Sequence, residues 1–227
     1  MKERIKTHVV GLDNRMSGGI PKGHIVLVSG MPGTMKSSVT YNILFNNAKL
    51  GIKGMYISLE QARDSIIEHM TGLGMNHEDV KDQVNIVDLG FLRKSMDLGT
   101  DQSWIDIFKM YAENLKKAPG YEILVIDSLP VIEMLAGVKN RRLELFELFE
   151  WLRGLGVTTI IIAEATSEIT QVRDEDFLAD GVIHLRTEKV GTKSNLHMGV
   201  FKMRETKHDR DYFPLIVENG TFEIIAD

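Results

Sequence analysis

Residues 25–44 read IVLVSGMPGTMKSSVTYNIL, and this stretch decides how the sequence folds. It begins with an apolar run that is continuous rather than alternating, as is typical of a parallel strand covered on both faces. A loop containing Gly30 and Gly33 follows, and the apolar residues after Lys36 recur at helical spacing. The stretch therefore predicts a strand, a tight loop and a helix that begins at Lys36.

Other apolar runs predict the remaining parallel strands of a sheet. Together with the first strand, they comprise residues 24–29, 55–59, 84–89, 123–127 and 158–163. Helical patterns between them predict further helices over residues 62–73, 101–117 and 141–154. Because strands and helices alternate, we expect an α/β fold with a mostly parallel sheet, right-handed crossovers and helices on both faces.

The last fifty residues have a different pattern. Residues 182–186 and 196–203 flank a polar turn that contains glycine, and residues 215–217 and 221–224 flank Glu218-Asn219-Gly220. Asn and Gly tolerate the positive φ that such turns require. The sheet is therefore expected to end in antiparallel hairpins, within a single domain over residues 1–227.

Composition limits the classes of function. The chain has 227 residues, a formal charge of −5 and no cysteine, and 43% of its residues are hydrophobic. We see neither a membrane-length apolar run nor a secretory signal. A protein that grips nucleic acid usually shows a basic stripe, and dense basic stretches occur here only at residues 139–142 and 202–210. We expect a cytoplasmic protein without membrane insertion, and the charge argues against nucleic acid as the main partner.

The loop after the first strand has the residues of a phosphate-binding site. Small residues let backbone N–H groups converge on phosphates, a helix N-terminus favours negative charge, a lysine reaches the β/γ oxygens, and a hydroxyl binds Mg²⁺. The candidate nucleotide-binding residues are Gly30, Pro32, Gly33, Thr34, Met35, Lys36, Ser37 and Ser38. The alternative is a glycine-rich turn with an incidental Lys-Ser pair, but strand, loop, helix and hydroxyl all fall in register.

Met35 departs from the usual pattern, in which a glycine precedes the lysine. If this position needs an unusual backbone conformation, a side chain there costs stability or widens the loop. The loop thus indicates nucleotide binding more strongly than fast hydrolysis.

Three acidic residues end apolar runs. Asp127 matches a Walker B aspartate, which would hold Mg²⁺ through water together with the Ser37 hydroxyl; the alternative is a turn residue. Glu60 is a candidate catalytic residue that orients or deprotonates water, or else an acid favoured at a helix start. Glu164 either senses a γ-phosphate or forms a local ion pair.

A polar stripe is expected on a late strand. If residues 201–208 stay extended, Lys202, Arg204, Thr206 and His208 share one face, which suits a triphosphate. The alternative is an edge strand protected by charge.

Several motifs in order resemble the KaiC family of archaea and cyanobacteria. The resemblance covers nearly the whole chain and is specific for the RecA/KaiC group. Its motifs are Gly11-Leu12-Asp13, Gly18-Gly19-Ile20-Pro21-Lys22-Gly23, the phosphate loop, Ile57-Ser58-Leu59-Glu60, Ile126-Asp127-Ser128, residues 177–185 (FLADGVIHL) and Lys202-Met203-Arg204.

The resemblance implies a RecA-like fold, binding of ATP and Mg²⁺, and often a hexameric ring with ATP between subunits. In such rings the Lys-x-Arg strand reaches the nucleotide held by the adjacent subunit. Carried onto this chain, Lys202, Arg204, Thr206 and His208 become contacts to a neighbour's ATP.

The sequence also departs from the family. Glu60 is followed by Gln61, where a second carboxylate is usual, and Met35 replaces glycine. The two-domain clock proteins carry a Ser-Thr phosphorylation site, whereas residues 174–176 here are Asp-Glu-Asp. These differences argue against an autokinase clock function.

The motifs and the resemblance leave three alternative functions. The first is a slow Mg²⁺-dependent ATP hydrolase, with Lys36 and Glu60 as catalytic residues, acting in a homo-oligomeric ring with a regulatory or signalling role. The second is a nucleotide sensor that hydrolyses poorly, similar to the single-domain FlaH proteins of the archaeal motility motor. The third is a recombinase-like DNA-binding ATPase, which the acidic charge disfavours. The protein partner of such an assembly is open.

Overall fold

The protein is built on one large mixed sheet. The computed structural model describes residues 2–89, 104–117, 120–136, 140–165 and 173–225. The strands are β1 (Arg4–Ile5), β2 (Val9–Val10), β3 (Ile20–Pro21), β4 (Ile25–Gly30), β5 (Gly54–Ser58), β6 (Val84–Asp88), β7 (Ile123–Asp127), β8 (Thr158–Glu164), β9 (Gly181–Val190), β10 (Lys193–Met203), β11 (Tyr212–Glu218) and β12 (Thr221–Ile224).

Helices alternate with these strands. They are α1 (Leu12–Arg15), α2 (Lys36–Lys49), α3 (Arg63–Gly72), α4 (Trp104–Lys117), α5 (Leu129–Ala136), α6 (Arg141–Leu155) and α7 (Asp174–Leu178), with a 3₁₀ turn at His77–Asp79. Within the described ranges, no helix has the length and apolarity that crossing a membrane requires.

The strand order confirms the expected fold class. The described residues form a ten-stranded sheet in the order β2-β12-β11-β10-β9-β4-β8-β7-β5-β6, and β1 pairs separately with β3. Strands β9, β4, β8, β7, β5 and β6 are parallel neighbours. Strands β9 to β12 pair antiparallel, as the two C-terminal hairpins predicted. In the second hairpin turn, Asn219 and Gly220 have positive φ, 49° and 75°.

A core lies on each face of the sheet. On β4, Val26 and Val28 pack into the core that contains α2, whereas Ile25 and Leu27 pack into the core that contains α4 and α6. The apolar residues of α6 are buried there, among them Leu145, Leu148, Phe149 and Leu152. Strands β4, β8, β7 and β5 are adjacent and parallel, so their carboxyl ends lie together at one edge of the sheet.

Some expectations needed correction. The ends of the five predicted parallel strands agree with the structure or differ by one residue, whereas β9, β10 and β11 each extend three or four residues beyond one predicted end. Residues 101–103 of the predicted 101–117 helix lie outside the described residues. The condition that residues 201–208 stay extended is not met, because β10 ends at Met203 and a turn follows, with Glu205 at φ 54°. Strand geometry therefore does not place the side chains of Lys202 and Arg204 on one face.

Candidate nucleotide-binding site

The phosphate loop connects β4 to α2 at the carboxyl edge of the sheet. A Cβ at Gly30 would lie 2.4 Å from the Leu185 carbonyl oxygen, so only glycine fits. Gly33 has φ 82° and faces open space, which leaves room for a ligand beside its backbone. Met35 is left-handed at φ 62°, ψ 27°, a conformation that costs a non-glycine residue about 1 kcal/mol. Met35 thus has the unusual backbone conformation that sequence analysis considered for this position.

Lys36 lies inside the loop. Its Nζ donates hydrogen bonds to the carbonyl oxygens of Gly30 and Met31, both at 3.0 Å, and the residue is 8% exposed. Burial lowers the pKa of Lys36, and the carboxylates of Glu164, Asp127 and Glu60 partly oppose that shift. The Lys36 ammonium can therefore exchange these two carbonyl acceptors for phosphate oxygens when a nucleotide enters the loop.

Ser37 and Asp127 meet as the sequence predicted. The Ser37 hydroxyl donates to Asp127 Oδ2 at 2.9 Å, and the Tyr56 hydroxyl donates to the same oxygen at 2.5 Å. Burial raises the pKa of Asp127, although these two hydrogen bonds favour its charged form. Burial and the nearby Asp127 charge raise the pKa of Tyr56, so Tyr56 remains a donor. Sequence analysis missed Tyr56, which reads as an ordinary strand residue.

Glu60 lies beside Asp127 because β5 and β7 are neighbours, with Ser58 opposite Asp127. Its Oε1 accepts a hydrogen bond of 3.0 Å from Ser128, and the residue is exposed at the edge of the sheet. The adjacent Gln61 uses its backbone carbonyl to accept from Ser58 at 2.7 Å. The structure thus presents one oriented carboxylate where water reaches the site.

The remaining loop residues fix the start of α2. The Thr34 hydroxyl donates to the Met31 carbonyl oxygen at 2.7 Å, and Pro32 is exposed. Ser38 is buried, and its hydroxyl lies 3.3 Å from His69 Nε2. His69, on α3, is a second neighbour of the site that sequence analysis missed.

Glu164 ends β8 directly opposite Gly30 of β4. Its side chain is exposed, and its charge raises the pKa of Lys36. The guanidinium of Arg173 donates to its backbone carbonyl. The carboxylate therefore belongs to the same edge as the phosphate loop.

Lys202 and Arg204 lie at the opposite edge of the sheet. Lys202 Nζ donates to the Asp176 and Ala179 carbonyl oxygens at 2.8 and 2.6 Å, and Arg204 Nη1 donates to Asp180 Oδ1 at 2.8 Å. The Asp180 amide in turn donates to the carbonyl of Ile25, where β4 begins. Five residue steps along β4, roughly 16 Å, therefore separate these cations from Gly30.

Thr206 and His208 follow on the same side of the molecule. The Thr206 hydroxyl donates to the Arg204 carbonyl oxygen at 3.1 Å, and His208 Nδ1 lies 2.9 Å from the Asp209 carbonyl oxygen. The structure thus brings the loop residues together with Asp127 and Glu60, and it keeps the predicted cationic segment apart from them.

The donors at the loop fit a magnesium–nucleotide complex. Hydroxyl and carboxylate oxygens are the ligands that Mg²⁺ prefers, and Ser37 and Asp127 supply one of each. Lys36 and the amides of a helix N-terminus supply positive charge for phosphates. Fold and site together define a P-loop nucleotide-binding protein of the RecA-like α/β class.

Comparison with known proteins gives the family. The family model described as "ATPase: KaiC" matches residues 5–227. This chain belongs to the KaiC family of ATPases, as its motifs indicated, and it is accordingly an ATP-binding P-loop protein.

Relatives fall into two size classes. A circadian clock oscillator protein KaiC from Thermosynechococcus vestitus is 25% identical over 96% of this chain, which spans only 43% of that relative. A UPF0273 protein from Thermotoga maritima is 28% identical over 97% of this chain and 95% of its own length. This chain thus spans less than half of the clock proteins and matches the UPF0273 proteins along almost their whole length.

A solved structure shares the fold. The crystal structure of a KaiC-like protein from Pyrococcus horikoshii superimposes with a TM-score of 0.86 at 27% sequence identity, and all of both chains is covered. The mostly parallel sheet with antiparallel C-terminal strands is therefore the fold of KaiC-like proteins.

Proposed function

We propose that this chain is a slow Mg²⁺-dependent ATP hydrolase that works in a ring of identical subunits with a regulatory or signalling role. The contact between Ser37 and Asp127 carries the proposal, because it places a hydroxyl and a carboxylate 2.9 Å apart beside the phosphate loop. Such a pair binds the metal of a bound nucleotide in phosphoryl-transfer enzymes generally.

The loop residues hold the triphosphate. Backbone N–H groups of the loop and of the N-terminus of α2 would bind the phosphates, and Lys36 would exchange its two carbonyl acceptors for phosphate oxygens. Mg²⁺, when bound, supplies positive charge against the negative charge of the transferring phosphoryl group. Ser37 and Asp127 are the residues that would hold it, while Tyr56 keeps the carboxylate oriented.

Glu60 orients and deprotonates water. Its hydrogen bond to Ser128 leaves one oxygen free to accept, and its place at the exposed end of β5 suits a general base. With Gln61 in place of a second acid, a single carboxylate handles the water, which agrees with slow turnover.

The cations at the opposite edge support a ring. Lys202 and Arg204 lie too far from the loop of their own chain to touch its nucleotide. In the ring that the family resemblance implies, however, the opposite edge of one subunit would reach the nucleotide held by the next. The segment that carries Lys202, Arg204, Thr206 and His208 would then complete the neighbour's site, with Arg204 as the stabilising cation.

Phosphate release by the purified protein tests hydrolysis. Glu60→Gln is expected to lower turnover about a hundredfold while binding of ATP stays within twofold, since a general base contributes roughly 10²–10⁴. Glu68→Gln is the matched control, because Glu68 is an exposed carboxylate on α3. Equal turnover in the wild type and in Glu60→Gln would remove Glu60 from catalysis.

A nucleotide sensor that builds or regulates an assembly is the second candidate. Gln61 and Met35 favour it, because a single acid is left to handle the water and a side chain stands where the family usually has glycine. Micromolar ATP binding without any phosphate release in the wild type would establish this function instead.

A DNA-binding ATPase is the third and weakest candidate. Of the basic stretch at residues 139–142, Lys139 lies outside the described residues, and Arg141 makes ion pairs of 2.8 Å with Glu133 and Glu175. A guanidinium held by two carboxylates is poorly placed to bind a phosphate backbone.

A further inference from the structure

Residues 204–209, which follow strand β10, are held in place largely by the first 19 residues of the chain. The Asp209 amide donates to the Arg15 carbonyl oxygen at 3.0 Å, and the Arg15 guanidinium pairs with the Asp209 carboxylate at 2.6 Å. The Ser17 hydroxyl donates to the Lys207 carbonyl oxygen at 2.8 Å. Since Glu205 is left-handed, this shape is unfavourable by itself and requires such contacts.

Arg4 makes the central contacts to this segment. Its Nη1 donates to Thr206 Oγ1 at 2.9 Å and to the Gly19 carbonyl oxygen at 2.7 Å, and its Nη2 donates to the Glu205 carbonyl oxygen at 3.0 Å. A planar guanidinium can serve three acceptors in one plane, which an ammonium cannot. Arg4 therefore fixes the backbone of Glu205 and the side chain of Thr206 together.

The backbone of Arg4 is itself fixed. Arg4 pairs with Pro21 in the β1–β3 ladder, and the Lys22 amide donates to the Glu3 carbonyl oxygen at 2.9 Å. The side chain is half-buried, so it holds the segment from a rigid base.

The Thr206 hydroxyl links Arg4 to Arg204. Its oxygen accepts from Arg4, and its hydrogen is donated to the Arg204 carbonyl oxygen at 3.1 Å. A hydroxyl has one hydrogen, so in this arrangement Thr206 has none left for a phosphate oxygen. Thr206 thus acts on Arg204 rather than directly on a ligand.

We infer that Arg4 is a positioning residue that, through Glu205 and Thr206, sets the geometry with which Arg204 meets the triphosphate bound by a second copy of this chain. The inference rests on the proposed function, in which this edge completes the neighbour's site. It adds that the N-terminal strand controls that edge.

Turnover and binding separate a positioning role from a merely structural one. Arg4→Ala is expected to lower phosphate release roughly tenfold, the effect of 1.4 kcal/mol. Binding of a fluorescent ATP analogue to the dilute, unassembled chain should change less than twofold. Arg4→Lys, which keeps the charge but not the planar fork, should fall between Arg4→Ala and the wild type. Lys22→Ala is the matched control, because Lys22 pairs with Glu3 and Glu122 without touching residues 204–209.

Mixed assemblies decide where the defect lies. A Lys36→Ala chain has no working loop but an intact opposite edge, so adding it to Arg4→Ala should restore turnover, as it should for Arg204→Ala. If Arg4→Ala has wild-type turnover while Arg204→Ala is impaired, the inference about Arg4 fails alone. If neither variant is impaired, the proposed contact across subunits is wrong, and the inference about Arg4 is wrong as well.

A loss of folding is also informative. If Arg4→Ala unfolds at a much lower temperature than the wild type, turnover of the Arg4→Lys variant tests the positioning role instead. A folded Arg4→Lys chain with full turnover overturns the positioning role, and one with reduced turnover that the Lys36→Ala chain restores supports it.

Discussion

The two edges of the central sheet differ in how their polar side chains are satisfied. At the carboxyl edge, Ser37, Tyr56 and Asp127 bond to one another, and Lys36 bonds to the loop itself. At the opposite edge, Arg204 is exposed, and its guanidinium donates to the Asp180 carboxylate and the Phe177 carbonyl oxygen.

In the proposed ring, this difference would divide the site between copies of one chain. The carboxyl edge is arranged to bind a nucleotide without help, because its donors already converge. The cations of the opposite edge lie roughly 16 Å away along β4, and in the proposed ring they would act on the nucleotide of a neighbouring subunit. Binding and turnover should therefore respond differently to changes at the two edges.

The largest effect is expected at the carboxyl edge. Lys36→Ala should weaken ATP binding by about a hundredfold or more, because a desolvated charge contact contributes roughly 2–5 kcal/mol. Calorimetric titration with Mg-ATP measures it. Lys49→Ala, at the exposed end of the same helix, is the control and should bind normally. Normal binding by Lys36→Ala would contradict the phosphate-loop assignment.

The opposite edge should affect turnover and leave binding alone. Arg204→Ala is expected to lower phosphate release about tenfold or more, since an arginine that stabilises phosphoryl transfer contributes at least that much. Nucleotide binding to the unassembled chain should be unchanged, and light scattering reports the assembly state. Equal loss of binding in the dilute chain and in the assembly would abolish the distinction between the edges.

Asp127→Asn should stabilise the nucleotide-free protein by about 1 kcal/mol at neutral pH, as replacements of functional residues often do. Burial raises the pKa of Asp127 above its usual 3.8, so the folded chain binds the proton more tightly than the unfolded chain. Wild-type stability therefore falls as pH rises from 3.8 through the raised value, while the asparagine does not titrate.

Urea unfolding of both proteins at several pH values measures this difference, which should shrink as pH falls through that window. Added Mg-ATP should stabilise the wild type and leave Asp127→Asn almost unaffected. Asp64→Asn, an exposed change on α3, should alter neither quantity. A pH-independent gain in stability would argue that burial of the Asp127 charge is not its cause.

The smallest effect concerns the backbone of the loop. Met35→Gly should be more stable than Met35→Ala by about 0.5–1 kcal/mol, because glycine adopts φ 62° without strain but loses more entropy on folding. At Met31, which lies outside the positive-φ residues of the described chain, alanine should be at least as stable as glycine. Thermal unfolding of the four variants gives the comparison.

The sequence predicted one edge of the sheet far better than the other. Gly30, Lys36 and Ser37 are contiguous, and Asp127 ends an apolar strand, so local patterns sufficed to place them. Tyr56 was missed because its hydroxyl reaches Asp127 only when β5 and β7 are neighbours in the sheet. The sequence did not show that residues 201–208 leave the extended conformation, because the turn after Met203 depends on contacts from the chain's first residues.

What the sequence by itself determined is the parallel α/β fold, the phosphate loop and the acidic strand end, since periodicity and short motifs encode them locally. Tertiary structure alone decided that Arg4 reaches Thr206 across 202 positions, that Tyr56 orients Asp127, and that Lys202 and Arg204 lie at the opposite edge from the loop. These relations arise from strand order, which no single segment specifies, because each depends on packing between segments far apart in the chain.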